Sequence, residues 1–366
     1  MDILLGAAHS LSALGEGVDA SFQRMRTGGT AITREEDLYG SVAHVGLISG
    51  VPHSEDRVYR LLDQCIDASL AQLAGTPDPR RTQWIISSTK GDIGALDRDR
   101  PAEAALPMLA AHLRRRWNTA AEPWVVSNAC ASGASAIVLG AQLIRSGQAD
   151  HVVIAGIDVL SRFVLDGFRA LYALSAGPCR PFDTGRDGTS LGEACATVVL
   201  TNDVTLLRAP LGHLLGAGIA HDANHISGPS RTGEGLLRAI QQAVRNSGTA
   251  ITEIGAINAH ATGTAYNDAM EAIAFERCGL DHVPLSGYKG WFGHTLGAAG
   301  VLETAIAAHA LQQGWALRNE GHRAADPALQ VRVLERDTPV AGGLLLKTSS
   351  GFGGCNAALL IRAWNA

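Results

Sequence analysis

The chain lacks any close pair of cysteines. Its six cysteines, at 65, 130, 179, 195, 278 and 355, are scattered with no CxxC unit. This spacing suggests neither a disulfide framework nor a zinc site, and fits reduced thiols in a cytosolic enzyme. Charge is scarce as well, at 18% of residues with a net value of −5. A general footprint for nucleic acid is therefore absent. There is no Walker A loop. "GAGIAH" (216–221) opens like a dinucleotide fingerprint but has no third glycine, which argues against a nucleotide cofactor. The histidines form no HExxH. "HDANH" (221–225) sets two of them four apart, but a glycine-rich loop follows and no metal is assigned. The opening "MDILLGAAHSLSALGEG" has no basic n-region, and its apolar run is too short for a signal or a membrane helix. It reads as a first strand.

What is abundant is apolar residues, 46%, and glycine, 42 in a chain of 366. That composition describes a well-packed globular protein large enough for two domains, or for one α/β unit with two halves. Strand-like runs recur at 3–7, 84–88, 124–127, 152–156, 196–201, 255–259 and 343–347. Helical patterns lie between them at 57–74, 103–117, 133–146, 234–246, 267–277 and 297–312. Alternation of this kind predicts a layered α/β fold. The internal boundary is expected at "LLRAPLG" (206–212), dividing the chain into 1–205 and 206–366.

The two parts echo each other. "WIISSTKG" (84–91) resembles "AINAHATG" (256–263), and "VVIAGIDVL" (152–160) resembles "LLLKTSSGF" (344–352). Laying Cys130 on His294 also lays Gly133 on Gly297 and Ala134 on Ala298. Three weak matches in one order suggest a duplicated unit, with a site that collects residues from both halves.

"VVSNACASGASAIVLGAQLI" (125–144) sets Cys130 at a strand-to-helix joint among small residues. Such a turn exposes a side chain, and the helix N-terminus favours a thiolate and offers N–H groups to an oxyanion. The competing reading is a buried, inert cysteine. In "INAHATGTAYND" (257–268), His260 ends a strand just before Thr262 and Thr264; a structural hydrogen-bonding role competes there. "SGYKGWFGHTLGAAG" (286–300) carries Lys289 and His294 on a turn into a helix that holds Glu303. In "KTSSGFGGCNAALLI" (347–361), one glycine before Phe352 and two after it permit either a tight hairpin or a close substrate approach.

Together these segments resemble the β-ketoacyl synthases, condensing enzymes of the thiolase superfamily. "RPFDTGRDGTSLGEACATVVL" (180–200) and "HDANHISGPSRTGEG" (221–235) match further family blocks in order. The resemblance implies a thiolase-like fold, with duplicated α/β halves in α-β-α-β-α layers. It implies that Cys130 takes an acyl group from an acyl carrier protein. The backbone N–H groups of Cys130 and Phe352 would form the oxyanion hole, and His260 and His294 would stabilise the enolate left when a malonyl thioester loses CO2. Lys289 and Glu303 would organise the histidines. Thr262, Thr264 and Ser227 would hold the phosphopantetheine arm. Phe352 would act as a gate, and Phe168 and Ser350 would line the acyl pocket. Arg114, Arg115, Arg116 and Arg169 would meet the acidic carrier, although a solvated basic face explains each of them equally well. No bound cofactor or metal is implied. The expected partners are the carrier protein and a second synthase subunit, identical or paralogous, with no nucleic acid and no membrane.

There are departures from the family pattern. The stretch before Cys130 is shorter than usual, Ser350 stands where an aromatic is frequent, and Cys355 stands where threonine is frequent. "DVLSRFVLDGFRALYALS" (158–175) is closer to synthases of polyene pathways, so conjugated acyl chains are the expected substrates. A non-catalytic chain-length-factor-like subunit and a non-condensing acyltransferase are the competing functions.

Overall fold

The computed structural model describes residues 2–51, 54–226, 228–340 and 343–364. The apolar runs of the first half form β1 (Leu4–Ser12), β2 (Thr82–Ser87), β3 (Trp124–Val126), β4 (His151–Asp158) and β5 (Ala194–Thr201). The second half forms β6 (Pro210–His221), β7 (Ile254–Asn258), β8 (Pro284–Ser286), β9 (Leu344–Gly351) and β10 (Cys355–Ala363). The helices that matter here are α1 (Arg57–Leu70), α2 (Pro107–Trp117), α3 (Ser132–Arg145), α4 (Arg162–Ala170), α5 (Glu234–Ser247), α6 (Ala265–Arg277) and α7 (Ala299–Gln312).

These strands belong to one sheet of twelve. The first half runs β1-β5-β4-β2-β3 and the second runs β6-β10-β9-β7-β8. The strand senses repeat too. In each half the two pairings nearest the centre are antiparallel and the outer two are parallel. β1 and β6 join the halves antiparallel, with Leu4 opposite His213. The echo in the sequence is thus an echo in topology: 84–91 and 256–263 cover β2 and β7, while 152–160 and 344–352 cover β4 and β9.

Layering follows from which helices are apolar all round. α7 is buried along almost its whole length, and α3 nearly so. A helix without a polar face must be covered on every side. Both helices pack on strands of both halves, so they form the central layer. α1 covers the outer face of the first set of strands and α5 that of the second. The order is α-β-α-β-α. α3 and α7 cross where Gly133 meets Gly300. A Cβ on Gly133 would lie 2.7 Å from the Val301 nitrogen, and one on Gly300 would overlap the backbone of Ala134.

Two central strands, β6 and β10, are absent from the sequence-based list. β6 hides because Gly212, Gly216 and Gly218 break its apolar pattern. The last two lie under α5, where a Cβ would run into the carbonyls of Ala243 and Ala239. What resembles the start of a dinucleotide fingerprint is therefore a strand surface cut back so that a helix can approach.

Candidate active site

Three chain turns converge from the two halves. Cys130 follows β3 and stands two residues before the start of α3, and the residue before it, Ala129, is in the left-handed region at φ 47°. The Ser132 hydroxyl locks this turn, accepting from the Asn128 N–H at 2.8 Å and donating to the Ala129 carbonyl. His260 follows β7, and Ala261 beyond it is left-handed at φ 52°. His294 follows β8, between Gly293 at φ 79° and Leu296 at φ 52°. Non-glycine residues rarely adopt this conformation, and at a site it must be held by what surrounds it.

Sγ of Cys130 and one nitrogen each of His260 and His294 all lie within 4.8 Å of one another. All three side chains are buried. The two imidazoles meet edge to face, with ring centroids 5.2 Å apart at 83°. Lys289 Nζ lies 3.3 Å from Nδ1 of His260 and also donates to that residue's carbonyl. The Leu296 N–H donates to Nδ1 of His294 at 3.4 Å. Each Nδ1 therefore accepts, and each ring carries its proton on Nε2. Nε2 of His294 is buried and has no partner among the described residues. An unsatisfied buried donor at a site is a place for a ligand acceptor.

Electrostatics keep both rings neutral. Burial, followed by the charge of Lys289, holds His260 and His294 well below the ordinary imidazole value. Burial likewise pushes the Cys130 thiol up to about 11, against the pull of Lys90, Lys289 and the Phe352 backbone N–H. At rest Cys130 is thus a thiol, and the backbone N–H of Phe352, one of the two expected oxyanion donors, is already turned toward it.

Behind the histidines, Glu303 on α7 accepts from Lys289 and from Lys347 at 2.7 Å each, and all three residues are fully buried. Glu271 on α6 accepts the backbone N–H of His260 at 2.8 Å and that of Ala261 at 2.6 Å. Asp158, at the end of β4, accepts the N–H of Gly297 at 2.6 Å and that of Thr89 at 3.0 Å. It ties the His294 turn to the other half. Lys347, Glu271 and Asp158 were not singled out from sequence. Only Lys347 left a signal, as a charge inside an apolar central strand.

A cavity of about 480 Å3 opens onto these groups. Phe168, Thr262, Thr264, Ser350 and Phe352 line it, and the exposed Tyr172 and Tyr266 stand at its rim. Thr262 and Thr264 share a hydrogen bond of 2.8 Å between their hydroxyls. The rings of Phe168 and Phe352 lie 5.8 Å apart, so the expected gate and pocket residue touch. Ser350 donates to Oδ1 of Asn356 at 2.8 Å, and its proton is thereby committed to the protein. Ser227 lies outside the described residues. Arg114, Arg115 and Arg116 are exposed on the last turn of α2, where Arg114 pairs with Glu122 and Arg116 with Asp67; none of them lines the cavity. Arg169 pairs with Asp166 at 2.9 Å and borders a neighbouring cavity that shares Tyr172 and Thr189 with the first.

Residues 56–205 match the family described as "Beta-ketoacyl synthase, N-terminal domain", and residues 211–321 match "Beta-ketoacyl synthase, C-terminal domain". The chain is 34% identical to the mitochondrial 3-oxoacyl-[acyl-carrier-protein] synthase of Arabidopsis thaliana, over 69% of this chain and 59% of that protein. The match thus spans about three-fifths of that relative's length. The tetracenomycin polyketide synthase ketoacyl synthase alpha subunit of Streptomyces glaucescens is 30% identical, over 93% of this chain and 92% of its own. Among solved structures, the ketosynthase ApeO of Xenorhabdus doucetiae, in complex with its chain length factor ApeC, superposes with a TM-score of 0.87. It is 27% identical, covering 99% of this chain and 98% of that one.

Proposed function

The chain belongs to the β-ketoacyl synthase family, and from that premise we propose that it catalyses decarboxylative condensation of an acyl thioester with a malonyl thioester. The observation that carries the reading is the meeting of one thiol with two buried imidazoles within 4.8 Å, each with a donor within reach of its Nδ1.

In the first step the Cys130 sulfur attacks the carbonyl of an acyl chain held on the carrier's phosphopantetheine. The N–H groups of Cys130 and Phe352 receive the oxyanion. The pantetheine sulfur leaves with the proton that Cys130 gives up. A malonyl thioester then enters, with Thr262 and Thr264 along its arm. Its carboxylate departs as CO2, and the bonding electrons become an enolate whose oxygen accepts from His260 and His294. A donor placed for charge that develops only in the transition state contributes about 3–4 kcal/mol. The enolate carbon attacks the acyl carbon, Cys130 leaves as thiolate and takes up a proton from solvent, and a β-ketoacyl chain two carbons longer departs on the carrier.

No bound cofactor enters this scheme. The partners we assign are an acyl carrier protein and a second synthase subunit, either a copy of this chain or a paralogue. ApeO with its chain length factor is a relative that supports the paralogue. No helix among the described residues is long and apolar enough to cross a membrane, and six free thiols suit a reducing cytosol. We place the divide between the halves at 205/206.

The deciding experiment supplies acyl and malonyl carrier proteins and follows CO2 and product mass. Release of CO2 with a chain two carbons longer is the expected outcome. Acyl transfer without CO2 would instead make the protein an acyltransferase, and failure to load Cys130 would make it a non-catalytic subunit.

A further inference from the structure

Glu303 needs one cation and has two. Lys289 reaches Oε1 and Lys347 reaches Oε2, each at 2.7 Å, and none of the three residues is exposed. Desolvating an ammonium group costs several kcal/mol, and Lys289 alone already balances the carboxylate. A second buried carboxylate, Glu271, faces the same lysines, so neutralisation explains a second cation but not where it stands. Its position bears on the site. Lys347 stands opposite Asn258 in the β7–β9 register, two residues before His260. Its neighbour Thr348 donates to Glu271 at 3.1 Å, the carboxylate that holds the His260 turn.

We infer that Lys347 is a positioning residue of the condensation site, holding the second oxygen of Glu303 and placing a positive charge behind the two histidines. The inference rests on the proposed condensation. The other charged groups facing the histidines are Lys289 beside His260, Glu303 between the lysines, and Glu271 on α6. From the first half come Lys90 and Asp158. The charge of Lys347 opposes protonation of both imidazoles. It also favours negative charge on an enolate held by their Nε2–H groups. Acyl loading of Cys130 places no charge on the imidazoles and depends on Lys347 less.

The test measures acyl loading and malonyl decarboxylation separately, from about pH 5 to about pH 8. Lys347→Gln keeps a donor toward Glu303 and removes the charge; Lys347→Met removes both. Both variants should lose at least about tenfold in decarboxylation and markedly less in loading. The acid limb of their decarboxylation profile should move up by about one pH unit. Lys347→Arg should leave that limb near its wild-type position. If a folded neutral variant keeps the wild-type acid limb, or loses loading and decarboxylation in parallel, Lys347 has no such role. If neither neutral variant folds, 15Nζ NMR of lysine-labelled wild type decides. An ammonium signal at Lys347 supports the inference and a neutral amine overturns it. Wild type that does not decarboxylate malonyl carrier protein at all defeats the condensation reading itself, an outcome visible before any variant is made.

Discussion

Cys130 and His294 occupy equivalent places in a duplicated fold. Each follows the third strand of its half, each is preceded by a left-handed residue (Ala129 at φ 47°, Gly293 at φ 79°), and each leads into a central helix. The same turn thus serves two kinds of chemistry. In the first half it delivers a thiol beside helix N–H groups. In the second it delivers an imidazole whose Nδ1 is already occupied. Because α3 and α7 cross at Gly133 and Gly300, the two turns face each other across a short gap.

Cys130→Ala should abolish acyl loading. Two other cysteines lie near the site: Cys179, fully buried with its thiol donating to the Lys289 carbonyl at 3.3 Å, and the half-buried Cys355. Neither sits before a central helix. Digestion of acyl-loaded wild type should place the added mass on the peptide containing Cys130. Mass found on Cys179 or Cys355 contradicts the assignment.

Replacing His260 or His294 by alanine should leave acyl loading detectable while cutting malonyl decarboxylation by roughly 10²–10³-fold. In the proposed mechanism, thioester exchange at Cys130 draws on backbone N–H groups, whereas the enolate draws on both Nε2–H donors. CO2 release and single-turnover loading, measured on the same preparations, separate the two steps. A variant that decarboxylates at the wild-type rate shows that its histidine has another task.

Most of the site was legible because its residues sit in glycine-rich turns at strand ends, where side-chain type and local backbone are read together. The supporting carboxylates were not. Glu271, in "NDAMEAIAFER", has the look of a solvated helix face; only the core that α6 and β7 share places it under His260. Asp158 bridges turns from different halves, a contact that no local pattern encodes. The glycines of β6 erased its apolar periodicity for the sake of α5. The arginine run on α2 is a conspicuous local pattern that is exposed, with Arg114 and Arg116 ion-paired, and lies outside the cavity lining, which leaves its expected role toward a carrier surface as it was.

The helix crossing should tolerate no side chain. Gly300→Val should cost roughly 3 kcal/mol or more, because backbone rather than a flexible side-chain end stands in the way. Gly167, on α4, has open space around its Cβ position. Gly167→Ala should instead stabilise by about 0.5–1 kcal/mol. Urea denaturation of both variants tests the contrast, and equal effects would mean that the crossing is looser than described.

Acid should destabilise the fold through the same histidines. In the folded state, burial and nearby lysines hold both rings below 6.5. An unfolded chain binds protons there below pH 6.5 that the folded chain does not. Stability from this source is therefore complete above pH 6.5 and falls as pH drops toward the folded values. Each histidine should contribute about 1.4 kcal/mol per pH unit in that window. His294→Asn should flatten the pH dependence of urea unfolding by about that amount; an unchanged slope would show that His294 is protonated in the folded protein.

Substrate shape gives the last prediction. Phe168 and Phe352 stand 5.8 Å apart, and an apolar cluster of Leu160, Val164, Leu165 and Leu296 surrounds Cys130. Ser350 lines the cavity, and its hydroxyl is tied to Asn356. Phenylalanine there could not make that bond and would fill part of the space. A saturated acyl chain can fold to fit a bent pocket, while a conjugated one is rigid and needs a straight, preformed slot. Room left by a small residue beside the gate therefore favours the rigid chain. We expect kcat/KM for polyenoyl carrier proteins to exceed that for saturated chains of equal length by roughly 10–200-fold. Ser350→Phe should shrink that ratio while the enzyme still condenses short saturated chains. Equal or better use of saturated chains by the wild type would instead identify this protein with ordinary fatty-acid elongation.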